Sequence, residues 1–314
     1  MFENALNSIF TLLMLICVGI FLKTRKWFGM QGGTAFSKFA LNVAIPVNLI
    51  TTMVNSFDGK DDLLKVISQI FIPTAMIVFS LMAALIVGRI FKVKEGRRGA
   101  FAVCSSFANA IFIGLPVVQG IFGDAATPYA MVCYIPNILL FWTIGYYLMM
   151  KDGGKEGGFS FKNLKKLFSP PLMGFLIGTA MVLLNLKIPK FLQGPLTQLS
   201  RMATPLAMVY IGCVIGNTAL KKVLDSKKDL ILAIAMRLVV APMFVCLLCH
   251  VFNIDHAVAQ IFFVFSVTPT MTQSAMMANE CGGDSEFVSM EVCVSTILGL
   301  VFIPFYVWLM QYIL

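Results

Sequence analysis

Within the apolar stretch Gly99 to Phe122, the segment Asn109-Ala110-Ile111-Phe112-Ile113-Gly114-Leu115-Pro116 places an amide, a glycine and a proline within eight residues. The stretch His256 to Asn279 does likewise with Ser266-Val267-Thr268-Pro269-Thr270-Met271-Thr272-Gln273. A helix broken at such a place frees backbone N–H and C=O groups, and the N-terminus of the half-helix that follows suits a carboxylate. The chemistry offered is reversible binding of an anion. Asn109, Gly114, Pro116, Thr268, Pro269, Thr270 and Gln273 are the candidate binding residues, joined by Asn137 and Asn42, amides inside neighbouring apolar stretches. A single Pro or Gly is only a kink in a lipid-embedded helix. Two breaks in equivalent stretches are a pointer to a site.

The charged residues add to this. Arg237 lies about eight residues, or roughly 12 Å, inside its apolar stretch, deep enough that its charge needs a partner or water. It is either a fixed counter-charge for an anion or a structural arginine whose stem reaches the interface. Arg201, six residues into the stretch Pro195 to Leu220, carries the same two readings. No Asp or Glu is expected in the middle of a stretch. Glu280, Asp284, Glu286 and Glu291 gather between the last two stretches with no basic residue among them. They form either a solvated loop or a proton-coupling and gating station carried by Glu280 and Glu291.

No cofactor or metal is expected, apart from proton or sodium coupling. There are two histidines and no HExxH, and no intramembrane acid pair of the kind a membrane protease uses, so the chain does not read as an enzyme. Cys246-Leu247-Leu248-Cys249-His250 matches a haem-attachment spacing, yet it lies in an apolar stretch that a lyase could not grip. The eight cysteines are scattered as small apolar side chains.

The elements that hold these groups follow from composition. Only 12% of the 314 residues are charged and 59% are apolar, with a mean hydropathy of +0.87, whereas a soluble domain has about 25% charge. Lipid must face most of the surface. The net charge of +9 falls in short clusters between apolar stretches, the habit of membrane loops and not of nucleic-acid binders. Ten stretches approach the ~20 residues that a spanning helix needs. They run Asn4 to Leu22, Phe36 to Val54, Val66 to Phe91, Gly99 to Phe122, Ala126 to Met150, Pro170 to Leu186, Pro195 to Leu220, Asp229 to Phe252, His256 to Asn279 and Phe287 to Tyr312. The first is expected to be a retained helix, because no cleavage site accompanies it. Eighteen of the twenty-four Lys and Arg fall in alternate loops, which makes those loops cytoplasmic and puts both termini outside.

Residues 151–169, with Gly153, Gly154, Gly157 and Gly158, read as a cytoplasmic linker between two five-helix halves, 1–150 and 170–314. An odd helix count per half inverts the second half relative to the first. Three short matches support a repeat: Ala44-Ile45-Pro46 with Ala203-Thr204-Pro205, Gly123-Asp124 with Gly283-Asp284, and Ile138-Leu139 with Ile297-Leu298. The fold class expected is an all-α membrane protein of ten transmembrane helices in two inverted five-helix repeats, with broken, crossing helices 4 and 9.

Asn109 through Pro116 resembles the broken fourth helix of the auxin efflux carrier family, whose bacterial members include malate and malonate permeases. Thr268-Pro269, Ala278-Asn279-Glu280, Gly282-Gly283-Asp284, Ser295-Thr296-Ile297-Leu298 and Pro304 are similar to the family's C-terminal signature. The resemblance covers nearly the whole chain and implies a scaffold of helices 1, 2, 6 and 7 and a crossover at the broken helices, with Asn109, Pro116 and Pro269 on it. It implies secondary transport of a small organic anion, a mono- or dicarboxylate such as malate, by an elevator-type motion in a bacterial cytoplasmic membrane. A sodium-coupled organic-anion symporter of the bile-acid type, or an ion channel, are the alternatives. Homodimerisation through helices 2 and 7 is also implied, and the Gly212–Gly216 pair suits either such a contact or packing within one chain. The plant carriers' long central loop is lacking, which separates this chain from auxin itself.

Overall fold

The computed structural model describes residues 2–25, 32–57, 60–154, 169–215 and 227–313. Among them the regular elements are all helices. In chain order they are α1 (Phe2–Thr24), α2 (32–56), α3 (60–90), α4 (Arg98–Ser106), α5 (110–122), α6 (Asp124–Asp152), α7 (Pro170–Leu183), α8 (Lys190–Arg201), α9 (Ala203–Ile215), α10 (Lys227–Val251), α11 (His256–Ser266), α12 (Gln273–Cys281) and α13 (Ser285–Ile313). Five of them, α2, α3, α6, α10 and α13, contain runs long and apolar enough to cross a membrane, and α1, α5, α7 and α11 carry shorter apolar runs. Large apolar side chains such as Phe10, Ile86, Met243, Leu247 and Val301 point outward. An integral membrane protein satisfies both its backbone and its surface in this way.

Prolines shape the helices. A π-bulge occupies Ala40–Ala44 before Pro46, Ala110–Gly114 before Pro116, and Met236–Val240 before Pro242. Proline supplies no N–H and its ring crowds the carbonyl one turn back, so the turn before it widens. Where the bulge is followed by regular helix, the span continues through the proline. The fourth and ninth spans part completely, at 107–109 and 267–272.

The seventh span corrects the sequence reading. Pro195 lies inside α8, and the span proper begins at Ala203. Helix α8 has no buried residue, and its final residue, Arg201, is exposed. Its guanidinium is therefore not packed inside the protein. The central linker lies outside the described residues from 155 to 168, as does Gly216.

The contacts define two compact units, one of residues 1–69, 111–132 and 168–217, the other of 70–110, 133–167 and 218–314. In the first, glycines let helices touch. Gly212 of α9 meets the backbone of Ile16 and Gly19 in α1, and a Cβ on Gly174 of α7 would stand 2.6 Å from Pro46 Cα. The Gly212 face is thus filled by the same chain, which removes it as a contact between two copies.

In the second unit, loops gather at one end. Arg97 donates from Nη1 to Asp229 at 3.0 Å and from Nη2 to Asp284 at 2.7 Å, and stacks 4.7 Å from the Phe287 ring. Asp284 also accepts from Phe287 N–H at 2.9 Å, capping α13. Burial alone would raise the Asp284 carboxyl, but the Phe287 amide and the Arg97 guanidinium outweigh it and hold it below the usual carboxylate range. The acidic group between the last two spans therefore does have a basic partner, supplied from the loop between α3 and α4. Asp152 accepts from Ala100 N–H at 2.8 Å and caps α4.

Candidate functional site

The two breaks of the second unit pair with each other. Asn109 N–H donates to Pro269 O at 2.8 Å and Met271 N–H to Phe107 O at 3.0 Å, an antiparallel bridge between Ala108 and Thr270. Backbone freed by each break is thereby satisfied by the other, inside a region where water is excluded. Local sequence favours the parting: Pro269 has no N–H and disfavours helical geometry at Thr268.

Side chains complete the accounting. Asn137 on α6 accepts from Ala108 N–H at 2.9 Å and donates to Ala108 O at 3.0 Å, so it serves both backbone polar groups of one residue. Arg237 on α10, 0% exposed, donates from Nε to Thr268 O at 2.8 Å and from Nη1 to Ser106 O at 3.3 Å. Its Nη2 reaches Thr268 Oγ1 at 3.4 Å. Ser106 O is a carbonyl that the end of α4 leaves open, and Thr268 O is freed by the break that follows α11.

Helix α13 holds the second break with one face. Glu291, Ser295 and Gly299 recur every four residues and so share a side. Thr270 Oγ1 is 2.9 Å from Glu291 Oε1 and 2.7 Å from Cys104 O, and Thr270 N–H donates to Ser295 Oγ at 3.3 Å. Gly299 leaves room for Pro269, whose ring would stand 3.2 Å from an added Cβ. The Thr270 hydroxyl has one proton for two oxygens. Since Cys104 O can only accept, both contacts are hydrogen bonds when Thr270 donates to Cys104 and Glu291 donates to Thr270, that is, when Glu291 carries a proton.

Glu291 is the main revision of the sequence reading. It is 0% exposed and nearly two turns inside α13, not in a solvated loop, so an acid does lie within a span. Glu280, by contrast, is exposed near the end of α12.

Of the other candidates, Asn109, Asn137, Thr268, Pro269, Thr270 and Arg237 converge on the paired breaks. Gln273 begins α12, whose N-terminus has no side-chain cap. Asn109 Nδ2 stands 3.5 Å from Thr272 Oγ1. Gly114, Pro116 and Asn42 belong to the first unit, Asn42 being exposed in the α2 bulge. Sequence reasoning missed Ser106, Ser274 and Ser295. Ser106 Oγ, Ser274 Oγ and Glu291 Oε2 are buried with no hydrogen-bond partner among the described residues. The available signal was their position beside the breakers, with Glu291, Ser295 and Gly299 on one stripe.

Paired helix breaks lined by buried polar groups, in a chain otherwise built for lipid, are the mark of a membrane transporter. The chain matches the membrane transport protein family twice, over residues 4–158 and 159–307. It belongs to that family, the auxin efflux carriers, and is a transporter and not an enzyme. An uncharacterized transporter of Methanothermobacter thermautotrophicus is 28% identical over 96% of this chain and 97% of its own length. Another, of Methanocaldococcus jannaschii, is 23% identical over 97% of this chain and 98% of its own.

Proposed function

We propose that the protein is a secondary active transporter of small organic anions, a mono- or dicarboxylate such as malate, working by alternating access around crossed broken helices. The observation that carries this reading is the uncapped N-terminus of α12 beside the paired breaks. The unbonded hydroxyl of Ser274 and the Asn109 amide beside it offer donors for a carboxylate. An elevator-type movement of one unit against the other is part of the same reading.

Ten spans in two inverted repeats fit the element order. The 159-residue shift that aligns the prolines also carries 98–106 into α11 and 124–152 into α13. Cytoplasmic placement of the basic loops, with both termini outside, is supported by their meeting at one end of the second unit, where Arg97 joins Asp229 and Asp284.

Glu291 is the proton-coupling group in this scheme. Its contact with Thr270 Oγ1 holds it while the break is closed, and it exchanges a proton when the break opens. Counterflow of labelled malate into proteoliposomes tests the assignment, with pH and sodium varied independently. Uptake by the wild type that is lost in Asn109→Ala while folding is retained is expected; wild-type uptake by that variant would sink the site. Dependence on sodium alone would favour a sodium-coupled symporter.

A further inference from the structure

The negative ends of two half-helices share one arginine. Helix α4 ends at Ser106, whose carbonyl meets Arg237, and Thr268 O lies two residues past the end of α11; each helix end is equivalent to roughly half an elementary negative charge. Two such ends in a place without water call for about one positive charge. Arg237 supplies it through Thr268 O at 2.8 Å, Ser106 O at 3.3 Å and Thr268 Oγ1 at 3.4 Å. No carboxylate lies within 4 Å of it among the described residues. Its direct hydrogen bonds go to backbone and to one hydroxyl, and Glu291 is the carboxylate that acts on its charge through space. Adjacent to these oxygens in sequence, Ser106 Oγ is a further buried oxygen with no partner.

Two carbonyls and the Thr268 hydroxyl are oxygen ligands of the kind that a hard cation takes. In carriers with broken helices, the C-terminal ends of half-helices commonly hold the coupling cation. Under the repeat shift, the position equivalent to Arg237 in the first half is Val78, so one side chain serves both ends.

We propose that Arg237 is the resident cation of a monovalent-cation site formed by the C-terminal ends of α4 and α11. The guanidinium fills the site permanently, so the wild-type protein takes up no sodium there. Removing the guanidinium opens the site to guanidinium ion or an alkali cation. The inference rests on the paired breaks of the transporter reading, but none of its readouts needs a transported solute, so a failure of malate transport leaves it testable.

The experiment follows thermal unfolding of the purified full chain in detergent, at constant ionic strength, in choline, sodium, potassium or low-millimolar guanidinium chloride. Saturable binding of radiolabelled sodium is measured in parallel. Wild type should show one midpoint in choline and sodium and no saturable sodium binding. Arg237→Ala should melt roughly 5 °C lower in choline and regain at least half of that loss, saturably, in guanidinium or sodium. Arg237→Lys, whose ammonium cannot bridge both ends, should fall between the two. Saturable sodium binding by wild type overturns the proposal. So does a folded Arg237→Ala with the wild-type midpoint, or one with no cation-specific recovery. Should Arg237→Ala not fold in any salt, a wild-type midpoint for Arg237→Lys or sodium binding by wild type is the overturning result.

Discussion

At the scale of single residues, the second unit spends its few buried polar groups on backbone. Asn137 serves both backbone polar groups of one residue, Ala108 N–H and O. Asn137→Ala leaves both buried and unbonded, which costs roughly 2–4 kcal/mol, and a melting midpoint lowered by several degrees in detergent is the check. Glu291 behaves differently, because its bond to Thr270 changes with protonation. Glu291→Gln keeps a donor for Thr270 without a titratable proton. The variant should fold and still exchange labelled anion in counterflow, while uptake driven by an imposed pH gradient falls to the level without the gradient. Gradient-driven uptake equal to wild type would remove Glu291 from the coupling step. Asp284 sets an acid limit. Its folded carboxyl lies below the unfolded value of about 3.9, so its contribution to stability is present above that pH and is lost as pH falls through the folded value. Unfolding followed against pH should show wild type weakening below about pH 4, and Asp284→Asn should be weaker at neutral pH with a flatter acid limb.

Among elements, proline and glycine act in opposite senses. Prolines widen turns at three π-bulges, and glycines remove Cβ atoms where helices or loops must touch. Gly299 is the instructive case, since it seats Pro269 and with it the whole second break. A valine there would drive into the proline ring. Gly299→Val should abolish anion counterflow, while Gly299→Ala, a single carbon 3.2 Å from Pro269 Cδ, should reduce it less. Equal activity of all three forms would mean that the α13 stripe does not position the break.

Considering the whole molecule, each unit draws on both halves of the chain. The first unit combines 1–69 and 111–132 with 168–217, and the second combines 70–110 and 133–167 with 218–314. Neither sequence half contains a complete core. Residues 1–154 or 155–314 expressed alone should fail to give monodisperse protein in detergent, whereas the two expressed together should assemble and co-purify. A well-folded half by itself would show that the repeats are independent domains.

The sequence by itself determined the membrane class and the places where helices part. These depend on local properties: apolar length, proline's missing N–H, and runs of like composition. It also marked most of the site, Asn109, Asn137, Arg237 and Thr268 to Thr270, because a polar group inside an apolar stretch is conspicuous. Other features were not legible. Glu291 sits close enough to a polar loop that spacing alone puts it in water, and only the packing of α13 on the second break buries it. Arg201 is the reverse case, an apparent intramembrane cation that a helix break at Met202 leaves on an exposed helix. The partners of Arg237 are backbone carbonyls 31 and 131 residues away. Backbone carries no residue-specific signal in a sequence, so only the tertiary structure shows what that arginine bonds.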